Sequence, residues 1–170
     1  MKVKILNVQE NIFVDAEIKD ASQQRIILPS ITDEWRFNFK KHSKQSGFQT
    51  YILICEEMPD GIEGCLIFKM KDKVEPYMAF IEIAPHNKGM DRKYDKVAGC
   101  LIAFACRLSF IIGESDYKGW LAFDVLEEDK ENEIKLMSLY AKKYGALKFG
   151  KTTMVIPPEG GEKLINEFLK

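Results

Sequence analysis

A carboxylate inside an otherwise apolar segment is the first feature of this sequence that could do chemistry. Glu82 lies within YMAFIEIA (77–84), where strand alternation places Met78, Phe80, Glu82 and Ala84 on one face. Burial would make this carboxylate basic enough to accept a proton from an amine. The same residue could instead be a strand-end charge that reaches solvent or pairs with a lysine.

Basic residues gather just before a long apolar segment. Arg92, Lys93 and Lys96 precede the run Val97–Ile112, which is too long for a strand and is therefore predicted to be a buried helix. The unpaired backbone N–H groups and the dipole at such a helix N-terminus attract phosphate, and the three bases add charge. An ordinary solvated loop before a core helix is the alternative.

Three further polar features are candidates for a site. Asp124 lies in the predicted strand GWLAFDVL and is a second possible base. The acidic run over 127–133 would favour a cationic acceptor, or is simply a solvated loop. His86, directly after a proline, could work near neutral pH or lie on the surface.

Composition limits the class of protein. The 170 residues, 46% of them hydrophobic, suffice for a single domain (1–170) with a real core. The 25 basic and 26 acidic residues leave a formal charge of -1, which argues against a nucleic-acid partner. The longest apolar run is too short to span a bilayer and contains Arg107, and the first residues do not form a secretory signal. We therefore expect a cytoplasmic protein with no membrane partner.

The cysteines point to neither a disulfide framework nor a metal site. All four lie in apolar runs and none forms a CxxC pair, so we expect reduced core thiols. Neither histidine is spaced to join them as a zinc ligand, and no metal is expected. The four are Cys55, Cys65, Cys100 and Cys106.

Apolar periodicity and turn residues predict the elements that would position these residues. Strands are predicted at 3–8, 49–56, 62–70, 77–84, 119–126 and 151–156. Helices are predicted within 29–46 and at 97–112, 131–144 and 162–169. Short links between the early strands favour an antiparallel meander, and the later strands alternate with helices. The order indicates an α/β fold with a mixed, mostly antiparallel sheet and helices on both faces.

This order, with particular residues, resembles the GNAT superfamily of acyl-CoA-dependent N-acetyltransferases over about Thr50–Ile156. The strand ending Ile83-Ala84-Pro85 is similar to the family's V-x-P ending before the buried helix, and SLYAKKYGALKFG is similar to its Y-x-x-x-G-F closure. The register Lys93-Tyr94-Asp95-Lys96-Val97-Ala98 matches the pyrophosphate loop R/Q-x-x-G-x-G/A only in part, since Lys96 replaces a glycine. The resemblance is therefore to a branch with a degenerate loop.

The resemblance implies transfer of an acetyl group from acetyl-CoA to a primary amine by direct attack. Glu82 would be the base, and Tyr140 would protonate the departing thiolate, although Tyr140 also fits an apolar helical stripe and lies five rather than four residues before Gly145. Asn132 would touch the pantetheine or cap its helix. The cofactor-binding residues implied by the resemblance are Ile81, Ile83, Ala84, Lys93, Lys96, Val97, Ala98 and Asn132.

Three other matters stay open at the level of sequence. A GNAT-fold module without catalytic activity, binding a protein or small ligand, is the competing interpretation, supported by Lys96 and by the displaced Tyr140. An acetyltransferase toxin acting on charged tRNA is a third, which the neutral charge disfavours. The acceptor amine is not identified, and exposed strand edges would permit a homodimer.

Overall fold

A computed structural model of the chain describes all residues from Met1 to Lys170. The strands form one nine-stranded sheet in the order β6-β1-β2-β3-β4-β5-β7-β9-β8. They are β1 Lys2–Asn7, β2 Ile12–Asp20, β3 Gln49–Cys55, β4 Gly64–Lys71, β5 Glu75–Ile83, β6 Tyr94–Asp95, β7 Leu121–Asp124, β8 Leu147–Lys148 and β9 Thr153–Ile156. The helices are α1 Phe39–His42, α2 Val97–Ile112, α3 Lys130–Tyr144 and α4 Pro158–Phe168. The prediction of a mixed, mostly antiparallel sheet is confirmed.

Two hydrophobic clusters lie on opposite faces of the sheet. The larger has 29 buried residues and contains the inward faces of α2, α3 and α4. The smaller has seven and lies under the segment 26–48, where Trp35 and Phe39 pack edge to face. Successive residues of β3 point into different clusters, Leu53 into the larger and Ile54 into the smaller, because strand side chains alternate.

The four cysteines are free and buried, as predicted. No three His, Cys, Asp or Glu side chains are grouped closely enough to hold a metal ion. None of the four helices is both long enough and apolar enough to cross a membrane.

Two sequence predictions about the N-terminal part of the chain were wrong. Residues 12–20 form a strand, β2, that pairs with β1 as a hairpin, although no strand was predicted there. The helix predicted within 29–46 shrinks to the single turn of α1, preceded by a 3₁₀ turn at Ile31–Asp33. Asn38 caps α1 by accepting the Lys41 N–H, so the helix that forms begins only at Phe39.

A β-bulge corrects the predicted faces of β5. Ile67 of β4 lies opposite Phe80, but the next residue, Phe68, lies opposite Met78, so Ala79 is an extra residue in β5. Met78 therefore packs in the larger cluster instead of sharing a face with Phe80 and Glu82. The bulge falls in the middle of the strand that leads to Ile83-Ala84-Pro85.

Gly99 allows α2 and α4 to approach closely. A Cβ atom at Gly99 would lie 2.2 Å from a ring carbon of Phe168. We expect Gly99→Ala to lower the free energy of unfolding by about 1–3 kcal/mol, the usual cost of overpacking, measured by urea denaturation. Gly99→Ala/Phe168→Leu should recover part of the loss, since the smaller side chain makes room. A Gly99→Ala protein as stable as the parent would contradict this contact.

Candidate active-site cleft

The sheet opens between β5 and β7. These neighbouring strands run parallel, and their only paired residues are Tyr77 and Ala122. Beyond that pair the strands separate, so the backbone edge of β5 from Met78 to Ile83 has no partner in β7. The two strands thus form the walls of a V-shaped cleft whose closed end is at Tyr77.

A mostly apolar cavity of about 370 Å³ fills this cleft, and we call it the inner cavity. Its size is that of a small-molecule site. It is lined by Arg36, Phe37, Phe48, Lys69, Tyr77, Met78, Ala79, Phe80, Ile81, Phe123, Asp124, Val125, Leu126, Glu127, Leu136 and Tyr140.

A second, more polar cavity of about 650 Å³ lies at the N-terminus of α2, and we call it the outer cavity. Ile83 of β5 and Tyr144 of α3 line it, whereas Ile81 and Tyr140 of the same two elements line the inner cavity. The cavities therefore follow one another along β5 and α3. The outer cavity is lined by Ile83, Asn87, Lys88, Gly89, Arg92, Tyr94, Asp95, Lys96, Val97, Ala98, Gly99, Leu139, Lys143, Tyr144, Glu167 and Phe168.

The N-terminus of α2 supplies free amides to the outer cavity. Cys100 donates the first N–H bond within the helix, to the Lys96 carbonyl, so the amides of Val97, Ala98 and Gly99 have no partner inside the helix. Lys96 has φ 70° and ψ 0°, the left-handed conformation that glycine adopts most easily. Lys96 therefore adopts a conformation that a glycine at this position would adopt without strain.

An acidic side chain already lies at this helix end. Asp95 accepts the Lys96 N–H at 2.7 Å and pairs with Arg92 at 3.1 Å. Burial tends to raise the pKa of Asp95, but these two donors lower it overall. The Lys96 ammonium lies 5.3 Å from the centre of the Phe168 ring and 5.7 Å from that of Phe13. Asp95 thus offsets part of the positive charge around the free amides.

Tyr140 lies on α3 and lines the inner cavity. Its ring centre is 4.8 Å from that of Phe123 in β7 and 5.9 Å from that of Tyr144. Burial, helped by the Glu127 carboxylate and opposed by the Arg36 guanidinium, raises the pKa of its hydroxyl to about 12. The phenol therefore keeps its proton at neutral pH and can act as a donor in the cavity.

Glu82 is bound by three donors and lines neither cavity. Its carboxylate accepts the backbone N–H groups of Arg36 and Phe37, both at 2.9 Å, and the Lys88 ammonium at 2.6 Å. The Glu82 side chain is only 6% exposed. It joins β5 to the segment that carries Arg36 and Phe37 into the inner cavity, and this anchors one wall of the cleft.

Asp124 lines the inner cavity at the end of β7 but is also fully engaged. Its carboxylate accepts the hydroxyls of Tyr77, Thr152 and Thr153. Burial alone would raise the pKa of Asp124, and the three hydroxyl donors lower it instead. A carboxylate with a lowered pKa is a weak base, so this network is better suited to holding β5, β7 and the start of β9 together.

Arg36 bridges the mouth of the inner cavity. Its guanidinium pairs with Glu127, donates to the Leu126 carbonyl at 3.1 Å, and lies 4.9 Å from the centre of the Phe37 ring. The acidic run that follows β7 is thus not a free anionic patch, since its residue nearest the cavity is neutralised. Glu133 of the same run is paired with Lys130.

The predicted cofactor-binding residues divide into three groups. Ile83, Lys96, Val97 and Ala98 line the outer cavity, and Ile81 lines the inner one. Asn132 is exposed beside them, in a shallow depression with Leu136 and Leu139. Lys93 and Ala84 line neither cavity.

The three predicted residues outside the two cavities have other environments. The Lys93 ammonium lies over the Tyr94 ring, 5.1 Å from its centre. Ala84 packs in the smaller hydrophobic cluster, on the other face of the sheet. Asn132 is not the cap of α3, because Asp129 accepts the Glu131 N–H in that role.

The cavities contain basic residues that the sequence analysis did not single out. Lys143 lies one helical turn after Tyr140 on α3, so the spacing i, i+3 could have predicted it. Lys69 lies on β4 opposite Tyr77, which requires knowledge of the strand register. Arg36 reaches the cleft only because Glu82 fixes its backbone, and no local pattern signals this.

His86 belongs to a separate network beneath the outer cavity. It is hydrogen-bonded to Glu63, whose side chain is 2% exposed, and Glu63 also accepts the Asn87 amide. Asn87 in turn accepts the Tyr94 N–H at 3.0 Å. The network ties the turn after β5 to β6, so His86 has a structural partner.

Comparison with solved structures finds many chains of similar fold. A chain of the KacTA–DNA complex is 13% identical with a TM-score of 0.60, over 89% of this chain and 99% of that one. A chain of AtaTR bound with AcCoA is 14% identical with a TM-score of 0.55, over 88% of this chain and 98% of that one. Mutant forms of the spermidine/spermine N-acetyltransferase SpeG from Vibrio cholerae are 18% identical with a TM-score of 0.50, over 76% and 73%.

No protein-family model matches the chain, and no curated protein matches it in sequence. At 13–18% identity the likeness to these structures establishes the fold alone.

Proposed function

We propose that this chain, which has the GNAT fold, transfers an acetyl group from acetyl-CoA to a primary amine. The observation that carries the proposal is the cleft between β5 and β7, with a protonated phenol inside it and a helix N-terminus at its outer end. Fold alone does not specify an activity, so the argument rests on the chemistry of the two cavities.

The residues of the cleft suit the two ends of acetyl-CoA. Lys96 and Lys143, which form no ion pair, and the free amides of α2 suit its phosphates, whereas Lys88 and Arg92 of the same cavity are paired with Glu82 and Asp95. The apolar walls of the inner cavity suit the acetyl group and exclude water from the thioester. Backbone N–H groups of the unpaired β5 edge after Phe80 would polarise the thioester carbonyl.

Direct attack by the amine is the mechanism that these side chains support. The amine nitrogen bonds to the carbonyl carbon, the carbon–sulfur bond breaks, and Tyr140 donates its proton to the departing thiolate. A covalent cysteine intermediate would need an activated thiol. Burial raises the pKa of Cys65, Cys100 and Cys106, and no cysteine lines the inner cavity.

The amine must lose its proton before or during attack, and the carboxylates near it are already engaged. Glu82 lies outside both cavities and Asp124 accepts three hydroxyls. We therefore assign Glu82 a positioning role in place of the base, and assign proton removal to water in the cleft.

One observation favours the alternative, a GNAT-fold binding module without catalytic activity. Asp95 occupies the helix N-terminus as a fixed anion, and a phosphate would have to share that position with it. The titration that follows separates the two functions.

Calorimetric titration of the protein with acetyl-CoA is the first test. We expect a micromolar Kd, and Lys143→Gln should weaken it about tenfold, or about 1.4 kcal/mol, through loss of one cation on the phosphates. Lys142→Gln removes a neighbouring charge that lines neither cavity and should leave the Kd unchanged. Absence of binding up to millimolar acetyl-CoA would reject the enzyme in favour of the binding module.

A further inference from the structure

The charged side chains of the inner cavity are not equally available to a ligand. There are four: Arg36, Lys69, Asp124 and Glu127. Glu127 is paired with Arg36, and the Asp124 carboxylate accepts three hydroxyls. Both acids therefore have partners within the protein, and a cationic ligand would have to displace one of them.

Lys69 is the exception. Its ammonium forms no ion pair and no hydrogen bond, although the residue is partly buried. Its ammonium lies between two aromatic rings, 5.4 Å from the centre of Phe48 and 5.4 Å from the centre of Tyr77. Register places it opposite Tyr77, at the closed end of the cleft. Lys69 is therefore the one charged side chain of the cavity without a hydrogen-bond or ion-pair partner, while the negative charge of Asp124 is held by three neutral hydroxyls.

The remaining lining is largely aromatic. Rings from four different parts of the chain face the same 370 Å³ space, and they can enclose a flat or branched apolar group. These rings belong to Phe37, Phe48, Tyr77, Phe80, Phe123 and Tyr140.

We infer that the acceptor is an amino-acid-like molecule, with a primary amine, an apolar or aromatic body and a carboxylate that pairs with Lys69. The inference rests on the proposed acetyl transfer and adds the acceptor to it. A polyamine fits less well, because its further ammonium groups would share the cavity with the Lys69 ammonium, and the two acids already accept the Arg36 guanidinium and three hydroxyls. A carboxylate supplies the partner that Lys69 lacks.

Matched probes isolate the carboxylate. Phenylalanine and phenylalaninamide have the same aromatic side chain and α-amine. They differ only in that phenylalanine has a carboxylate where phenylalaninamide has a neutral amide. The amine of phenylalaninamide is less basic, so at neutral pH a larger fraction of it is uncharged. Without selection by the protein, phenylalaninamide would therefore be the more reactive acceptor. With saturating acetyl-CoA, we expect a kcat/KM for phenylalanine at least tenfold above those for phenylalaninamide and for spermidine, measured by thiol release and by the N-acetylated product.

The lysine is tested by a KM effect restricted to the carboxylate probe. Lys69→Gln should raise the KM for phenylalanine about tenfold, leave kcat within a fewfold range, and leave the KM for phenylalaninamide unchanged. Lys73→Gln is the control, because Lys73 is exposed in the turn after the same strand and lines neither cavity. A role of Lys69 in stability alone would change both probes alike.

Failure of this inference and failure of the proposed function are distinguishable. If acetyl-CoA binds but phenylalanine is not acetylated, or spermidine is preferred, the acceptor inference is overturned and acetyl-CoA binding stands. If acetyl-CoA does not bind, both fall. An equal rise in KM for phenylalanine and for phenylalaninamide in Lys69→Gln would also overturn the proposed pairing of Lys69 with a carboxylate.

Discussion

Replacement of Tyr140 by phenylalanine is expected to lower kcat for acetyl transfer by about 10²–10³-fold, within the range for loss of a general acid. The ring and its contact with Phe123 remain, so the Kd of acetyl-CoA should stay within twofold. Only the proton for the departing thiolate is lost. Rapid measurement of thiol release at saturating acetyl-CoA gives kcat, and calorimetry gives the Kd.

The pH dependence sharpens this prediction. Since burial raises the pKa of Tyr140 to about 12, its hydroxyl stays protonated from pH 6 to pH 10 and should cause no fall in rate there. The rate of the parent should rise with pH as the amine acceptor loses its proton. Tyr117→Phe, on a half-exposed ring outside both cavities, is the matched control. A kcat for Tyr140→Phe equal to that of the parent would contradict the role of Tyr140 as a general acid and leave it as a residue of the hydrophobic core.

Glu82→Gln is expected to lower the free energy of unfolding by about 2–4 kcal/mol, with a fall in Tm of roughly 4–16 °C. The carboxylate accepts three donors, and a carboxamide would direct its own N–H atoms at one of them. The backbone of Arg36 and Phe37 would lose its anchor, and the inner cavity its wall. Thermal and urea unfolding measure the loss.

Kinetics separate the anchor from a base. If Glu82 positions the wall, Glu82→Gln should raise the KM for the amine and leave the pH profile of kcat unchanged. If it is the base, kcat should collapse and its acidic limb should disappear. Glu75→Gln, on the same strand and without an ion pair or a side-chain hydrogen bond, is the control for both measurements.

The elements that could be predicted are those in which the local pattern of apolar and polar residues already shows which side chains are buried. The apolar run Val97–Ile112 is buried on most sides and is a helix with those bounds. The three strands of the meander and the helix ending at Tyr144 also follow from local periodicity and from a closing Gly145 in the left-handed conformation. Because each buried position favours an apolar residue, the spacing of apolar residues along the chain indicates which face of an element is buried.

The segment before β3 shows where local patterns fail. Its polar and aromatic residues predicted a helix over 29–46, but only Phe39–His42 is helical. The Arg36 and Phe37 amides bond instead to Glu82, 46 and 45 residues away. The Glu82 side chain of β5 has replaced the hydrogen bonds that a helix would have made. A local stretch of sequence cannot predict this, because the two partners lie far apart in the chain.

Local hydrophobic periodicity was enough to predict the layers of the fold, the buried cysteines and the position of Tyr140 on a face of α3. Which polar groups are available for chemistry depends on contacts between distant elements. Glu82 and Asp124 are consumed by donors from distant elements, whereas Lys69 has no partner. Availability depends on what surrounds a side chain in space, because each hydrogen bond or ion pair satisfied inside the protein is withdrawn from a ligand.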